Sequence, residues 1–250
     1  MPVLLEVAVD SVASAVAAER GGAHRVELSG SLYDGGITPS AGLIAMVRKR
    51  IALPLHVLVR PRTGDFGYTA DEFEVMKRDI LLAKQLGANG VVLGLLTPAG
   101  RVDLVRTREL VELARPMSVT FHRAFDVAAV FPAALTDVVS TGAHRLLTSG
   151  GAASAEEGVT ALAELVAAAA GRITILACGH IREHNVAALV RATGVQEVHA
   201  SLQTPLPVHE PAVEQRAAGS SLGGPPRSEL VSATVKRFLK AAAGAAVQDR

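Results

Sequence analysis

The chain has one cysteine, no tryptophan, few other aromatics and almost no net charge, and each shortage removes a class of function. Cys178 alone cannot build a disulfide framework or a Cys-rich zinc site. Two tyrosines and six phenylalanines offer no stacking platform for bases and no aromatic sugar cleft. Twenty-five Lys and Arg against 24 Asp and Glu leave +1, too weak a field for sequence-independent nucleic-acid binding. No uncharged apolar run reaches the roughly 18 residues of a membrane span. The N-terminal stretch has no basic region, and Glu6 and Asp10 interrupt its apolar run, so it does not read as a signal peptide. What is present is 250 residues, 49% hydrophobic and 20% charged, enough to bury one large core and incompatible with disorder. The expectation is a reduced, soluble, cytoplasmic protein of one domain spanning 1–250.

A weak internal repeat carries the fold. Gly22-Ala23-His24-Arg25-Val26-Glu27-Leu28, Gly87-Ala88-Asn89-Gly90-Val91-Val92-Leu93, Gly142-Ala143-His144-Arg145-Leu146-Leu147-Thr148 and Gly194-Val195-Gln196-Glu197-Val198-His199-Ala200 share one pattern. In each, a glycine ends a helical stretch by taking the left-handed conformation, and a strand follows. Four more apolar runs, Val3–Val9, Leu55–Arg60, Met117–His122 and Ile173–Cys178, lie between them. Three follow a proline (Pro2, Pro54, Pro116) that punctuates the start of a strand. Helical patterning fills Ser11–Arg20, Ser40–Ile51, Ala70–Leu86, Asp103–Ala114, Phe131–Thr141, Ser154–Ala170, Arg182–Thr193 and Ser228–Ala246. Eight alternating strands and helices predict an α/β protein with a parallel sheet, closed as a single-domain (β/α)8 TIM-type barrel. An open doubly wound sheet would carry a Gly-rich turn after its first strand, and Val9-Asp10-Ser11-Val12-Ala13 has none. The Pro- and Gly-rich segment 202–227, before the last helix, reads as a surface loop or as a lid over the mouth.

Strand alternation sorts the side chains by face. One column holds Leu4, Glu6, Ala8; Glu27, Ser29; His56, Leu58, Arg60; Val92, Gly94; Ser118, Thr120, His122; Leu147, Ser149; Thr174, Leu176, Cys178; and His199, Ser201. The opposite column is apolar and suits packing on helices, so the polar column faces the barrel interior. Buried glutamates and histidines are costly unless paired or bound to something. Their convergence near the C-terminal strand ends predicts a site at the mouth of the barrel. Glu6, Glu27 and His122 are the candidate acid and base residues. Arg60, Arg62, Asp65, Arg123, Asp126, Ser149 and Ser201 are candidates for holding a substrate anion. For Arg62 with Asp65, and Arg123 with Asp126, loop-fixing ion pairs are an equal reading. Glu6, Glu27, His56, His122, His199 and Cys178 are the candidate metal ligands.

Several blocks stand together in family order: Leu4-Leu5-Glu6-Val7, Arg25-Val26-Glu27-Leu28, Gly35-Gly36-Ile37-Thr38-Pro39-Ser40, Arg60-Pro61-Arg62-Thr63-Gly64-Asp65-Phe66, Val119-Thr120-Phe121-His122-Arg123-Ala124-Phe125-Asp126, Leu147-Thr148-Ser149-Gly150 and Glu197-Val198-His199-Ala200-Ser201. In these blocks the chain resembles the CutC family, known as copper homeostasis proteins. The resemblance implies a TIM-type barrel, a cytoplasmic location and a role in copper tolerance, with no enzymatic reaction attached. Members usually carry cysteine after Val-Glu-Leu, where this chain has Ser29, so copper ligation by that cysteine does not carry over.

Two functions that use the polar interior follow as expectations, beside a third, a binding or scaffold protein in which that interior is a relic. One is a metal-binding or copper-handling protein holding a divalent metal or copper. Its imidazoles and carboxylates suit Zn(II), Mn(II) or Cu(II) better than Cu(I). The other is an enzyme on a small anionic metabolite, bearing a phosphate or carboxylate, that uses an Arg clamp and Glu/His acid-base residues. The expected partners are a metal ion or small anion and a second copy in a homodimer, with no nucleic acid and no membrane.

Overall fold

The computed structural model describes residues 3–205 and 228–246. Eight parallel strands close on themselves in chain order: β1 (Leu4–Val9), β2 (Arg25–Leu28), β3 (Leu55–Leu58), β4 (Gly90–Leu93), β5 (Ser118–Phe121), β6 (Arg145–Thr148), β7 (Thr174–Ala177) and β8 (Glu197–Ala200). The barrel is sealed where Glu6 of β1 registers with His199 of β8. Around it run α1 (Val12–Gly21), α2 (Ala41–Arg50), α3 (Ala70–Gln85), α4 (Leu104–Ala114), α5 (Phe131–Thr141), α6 (Val159–Ala169), α7 (Val186–Thr193) and α8 (Ser232–Ala243). The fold is the expected (β/α)8 barrel. No helix among the described residues is long and apolar enough to cross a membrane.

Local chemistry explains the alternation. Ser11 and Thr69 cap α1 and α3 with reciprocal capping boxes, while Ser40 and Asp103 cap α2 and α4. The four repeat glycines all sit at positive φ, between 73° at Gly194 and 92° at Gly22, and each hands the chain to a strand. Val7, Val9, Val26, Leu28, Val57, Val59, Val119 and Val198 are fully buried and pack outward under the helices. At the strand starts, His24 Nδ1 accepts the Leu5 amide at 3.0 Å and His144 Nδ1 accepts the Val119 amide at 3.1 Å.

Three segments differ from the sequence expectation. α6 begins at Val159 and not at Ser154, because the backbone of Gly158 lies against the Ser149 carbonyl: a Cβ there would stand 1.9 Å from that oxygen. Residues 154–158 turn instead, and the Ser154 hydroxyl accepts the Glu157 amide. α7 begins at Val186, since the Asn185 carboxamide accepts the Arg182 amide and ties a preceding turn. Ser228–Glu229, expected in the last helix, forms β10, which pairs antiparallel with β9 (Thr204–Pro205). The rest of the 202–227 segment, from 206 onward, lies outside the described residues.

Candidate functional site

The inward polar column divides in two. Alternation fixes which face a side chain takes, but the stagger of the barrel fixes its height. Glu6, Glu27, His56 and His199 lie within the barrel, where Glu6 bonds Arg25 at the start of β2. The second group, around Arg60, His122 and Ser149, lies at or just past the C-terminal strand ends. The single mouth site expected from sequence is therefore two groups at different depths.

Arg25 anchors the deeper group. It registers beside Glu6, and its Nε donates to Glu6 Oε2 while Nη2 donates to Glu197 Oε2 at 2.7 Å. Arg145 Nε reaches the same Glu197 oxygen at 2.9 Å, and its Nη1 donates to Ser118 Oγ at 2.6 Å. Arg25 and Arg145 occupy equivalent positions in the two Gly-Ala-His-Arg repeats, and both converge on one carboxylate. Sequence reasoning missed Arg25, Arg145 and Glu197, although counting the alternation two residues further back finds all three.

Above this network His199 Nδ1 lies 2.7 Å from Glu6 Oε1 and 3.6 Å from Glu27 Oε2. His56 Nδ1 stands 3.8 Å from Glu6 Oε2. Burial alone would raise the pKa of Glu6, but the hydrogen bond to His199 and the charges of Arg25 and His199 outweigh it and hold it well below the carboxylate range. Glu27 moves the other way, to about 7, because burial and the Glu6 charge together exceed the attraction of His199 and Arg25. Burial disfavours a charged His199, yet its two carboxylates raise its pKa. Burial drives His56 down to about 3, so it is neutral. Glu27 Oε2 and His56 Nδ1 are buried with no hydrogen-bond partner. One donor atom from each of Glu6, Glu27 and His199 lies within 4.8 Å of the others, a spacing one cation can bridge.

The upper group is built differently. Asp126 is wrapped by the Thr148 hydroxyl, the Ser149 amide, the Gly151 amide at 3.1 Å and Arg123 Nε at 2.8 Å. Arg123 Nη2 also donates to Ser149 Oγ at 2.8 Å. Asp126 therefore fills the amide nest that an external anion would use. Arg62 is taken by Asp65 at 2.9 Å and Glu72 at 2.6 Å. Cys178 clusters with Leu147 and Leu176, and burial raises its thiol pKa. Neither Cys178 nor His122 belongs to the carboxylate–imidazole group. Ser201 lies just past β8, partly exposed. Arg60 and His122 both flank Phe66, at 5.1 Å and 4.9 Å from its ring centre.

Known proteins share these features. The model of the CutC family matches residues 3–204. A CutC family protein of Chromobacterium violaceum is 51% identical over 201 residues, covering 80% of this chain and 81% of its own length. One from Xanthomonas campestris pv. campestris is 52% identical over 209 residues, covering 83% and 87%. Among solved structures, a CutC protein of Streptococcus agalactiae, named for copper homeostasis, superposes with a TM-score of 0.75 at 28% identity. It covers 80% of this chain and 98% of its own. A thiamine phosphate pyrophosphorylase from Pyrococcus furiosus, with a TM-score of 0.59 at 15% identity, shares the fold alone. With its blocks, its barrel and these relatives in agreement, the chain belongs to the CutC family.

Proposed function

We propose that this protein binds a divalent transition-metal ion inside the barrel through Glu6, Glu27 and His199, with His56 beside them, and handles that ion in the cytoplasm. The observation that carries the reading is the buried, unpartnered Glu27 Oε2 set against His199 and Glu6. A carboxylate left without a donor in a low-dielectric interior is stabilised by a cation more than by anything else within reach. Two carboxylates and neutral imidazole fit Zn(II), Mn(II) or Cu(II). Cu(I) does not fit, because it prefers thiolate and thioether sulfur and the one thiol lies apart from the donor group.

The test is the metal content of protein purified without tag or chelator. One equivalent of a divalent metal, absent from Glu27→Gln, is expected, together with loss of Cu(I) to a chromophoric Cu(I) chelator. Substoichiometric metal in both proteins, or Cu(I) retained against the chelator, overturns the reading.

A second reading, an enzyme acting on a small anionic metabolite, is supported by Glu27. A carboxyl held at about 7 beside a histidine has the proton affinity a general acid-base group needs near neutral pH.

A further inference from the structure

The mouth of the barrel holds a buried cation that no carboxylate among the described residues pairs. Arg60 is 8% exposed, and it takes part in none of the ion pairs among the described residues, unlike its neighbours Arg62 and Arg123. Its Nη atoms donate to three carbonyls: Gly36 at 3.0 Å, Gly35 at 3.3 Å and Gly64 at 2.8 Å. Its Nε has no partner. Carbonyl dipoles and the Phe66 ring solvate the guanidinium but leave its charge uncompensated, an arrangement that folded proteins rarely keep in isolation.

His122 completes the picture. Its Nδ1 accepts the Ala124 amide at 3.1 Å, which places the proton of the neutral ring on Nε2. The ring is neutral because burial, aided by the charge of Arg60, pushes its pKa down to about 3. Its Nε2 is thus a donor, and it is buried with no acceptor. Thr120, one inward position earlier on β5, is fully buried with an unpartnered hydroxyl. The Tyr68 hydroxyl lies against the Arg60 guanidinium and interacts with it.

A charge with no ion-pair partner among the described residues, together with the idle donors of His122 and Thr120, calls for an acceptor-rich anion. We propose that Arg60, His122 and Thr120 form a subsite for the carboxylate of a small organic acid. A monoanion balances the single charge of Arg60, because His122 stays neutral. A dianionic phosphate would leave net negative charge in the interior. It would also lack an amide nest, since the Ser149 and Gly151 amides are occupied by Asp126. The subsite does not depend on a metal at Glu6, Glu27 and His199; it names the ligand class that the second functional reading needs.

Pyruvate is the probe, with sulfate, and with chloride at matched ionic strength, as controls. Binding is read from the His122 ring nitrogens by NMR of protein labelled in its histidines. Saturable one-to-one movement of the His122 Nε2 signal by pyruvate is expected. Thr120→Val should weaken it at least about tenfold, the worth of one donor to a charged group. Arg60 variants would strand the loop carbonyls, so Thr120→Val, read by the His122 signal, and His122→Gln, read by calorimetric titration of pyruvate alongside the parent, carry the test. Glu27→Gln should bind pyruvate like the parent, which separates this subsite from the acid-base role of Glu27. No saturable shift, tighter binding of sulfate, or pyruvate affinity unchanged in both Thr120→Val and His122→Gln would overturn the proposal.

Discussion

The imidazole of His56 lies across the backbone of Gly90, so close that a Cβ on the glycine would stand 2.5 Å from Nε2. The relationship recurs one layer higher, where a Cβ on Gly94 would meet His122 Nδ1 at 2.4 Å. Gly90, at the start of β4, and Gly94, just past its end, make room for the inward rings of His56 and His122 on either side. Gly90→Ala and Gly94→Ala should each destabilise the protein by about 1–3 kcal/mol through overpacking. Adding His56→Ala to Gly90→Ala should recover part of that loss in urea denaturation. Equal stability of Gly90→Ala and the parent would show that the ring is free to move aside.

Arg25 compensates two buried carboxylates at once. Arg25→Met should cost about 3–5 kcal/mol, the usual result of removing one partner from a buried ionic network. Because Glu6 is held below its ordinary pKa, its contribution is present above about 4.5 and is lost as pH falls through its lowered value. The gap between parent and Arg25→Met should therefore narrow in acid. A gap independent of pH would mean that packing of the side chain, and not its charge, dominates.

Glu27→Gln in the metal-free protein should be as stable as the parent or more so. Its carboxyl titrates near 7 when folded and near 4.5 when unfolded, so the folded state binds the proton more tightly between those values. Stability from this group is full below about 4.5 and declines as pH rises toward 7. The gain in melting temperature on substitution should be larger at pH 8 than at pH 5. A large loss at both values would identify Glu27 as a structural ion-pair partner.

Acid should destabilise the fold through its buried rings. His122 and His56 are neutral when folded, with pKa values of about 3, against about 6.5 in an unfolded chain. Their stabilisation is complete above 6.5 and is lost as pH falls toward 3, at about 1.4 kcal/mol per pH unit for each ring. The groups facing His122 are Arg60, which opposes its protonation, and Asp126, which favours it. His122→Gln should reduce the slope of stability against pH by about one proton. An unchanged slope would show that the ring already charges in the native protein.

The barrel was legible in the amino-acid order because local chemistry writes it. Left-handed glycines at Gly22, Gly87, Gly142 and Gly194, N-caps at Ser11 and Thr69, and alternating apolar residues each act within a few positions of one another. Alternation likewise placed Glu6, Glu27, His56 and His199 on the inner face, where they are found. The family blocks pointed to the same relatives that the comparisons found.

What the sequence could not set was which inward residues share a level and which already satisfy one another. By sequence Asp126 and Ser149 are candidates for ligand contact, with loop-fixing ion pairing an equal reading for Asp126 and Arg123; in the fold the three are bonded to one another. Arg60 looked like Arg62 and Arg123, yet only Arg62 and Arg123 have carboxylate partners among the described residues. Arg25 and Glu197, 172 positions apart, meet only because the barrel closes. Secondary structure depends on neighbours in sequence, so the order of residues by itself determined the strands, helices and faces. Charge compensation depends on distance in space, so the stagger and closure of the barrel alone decided which buried groups are paired and which remain open to a ligand.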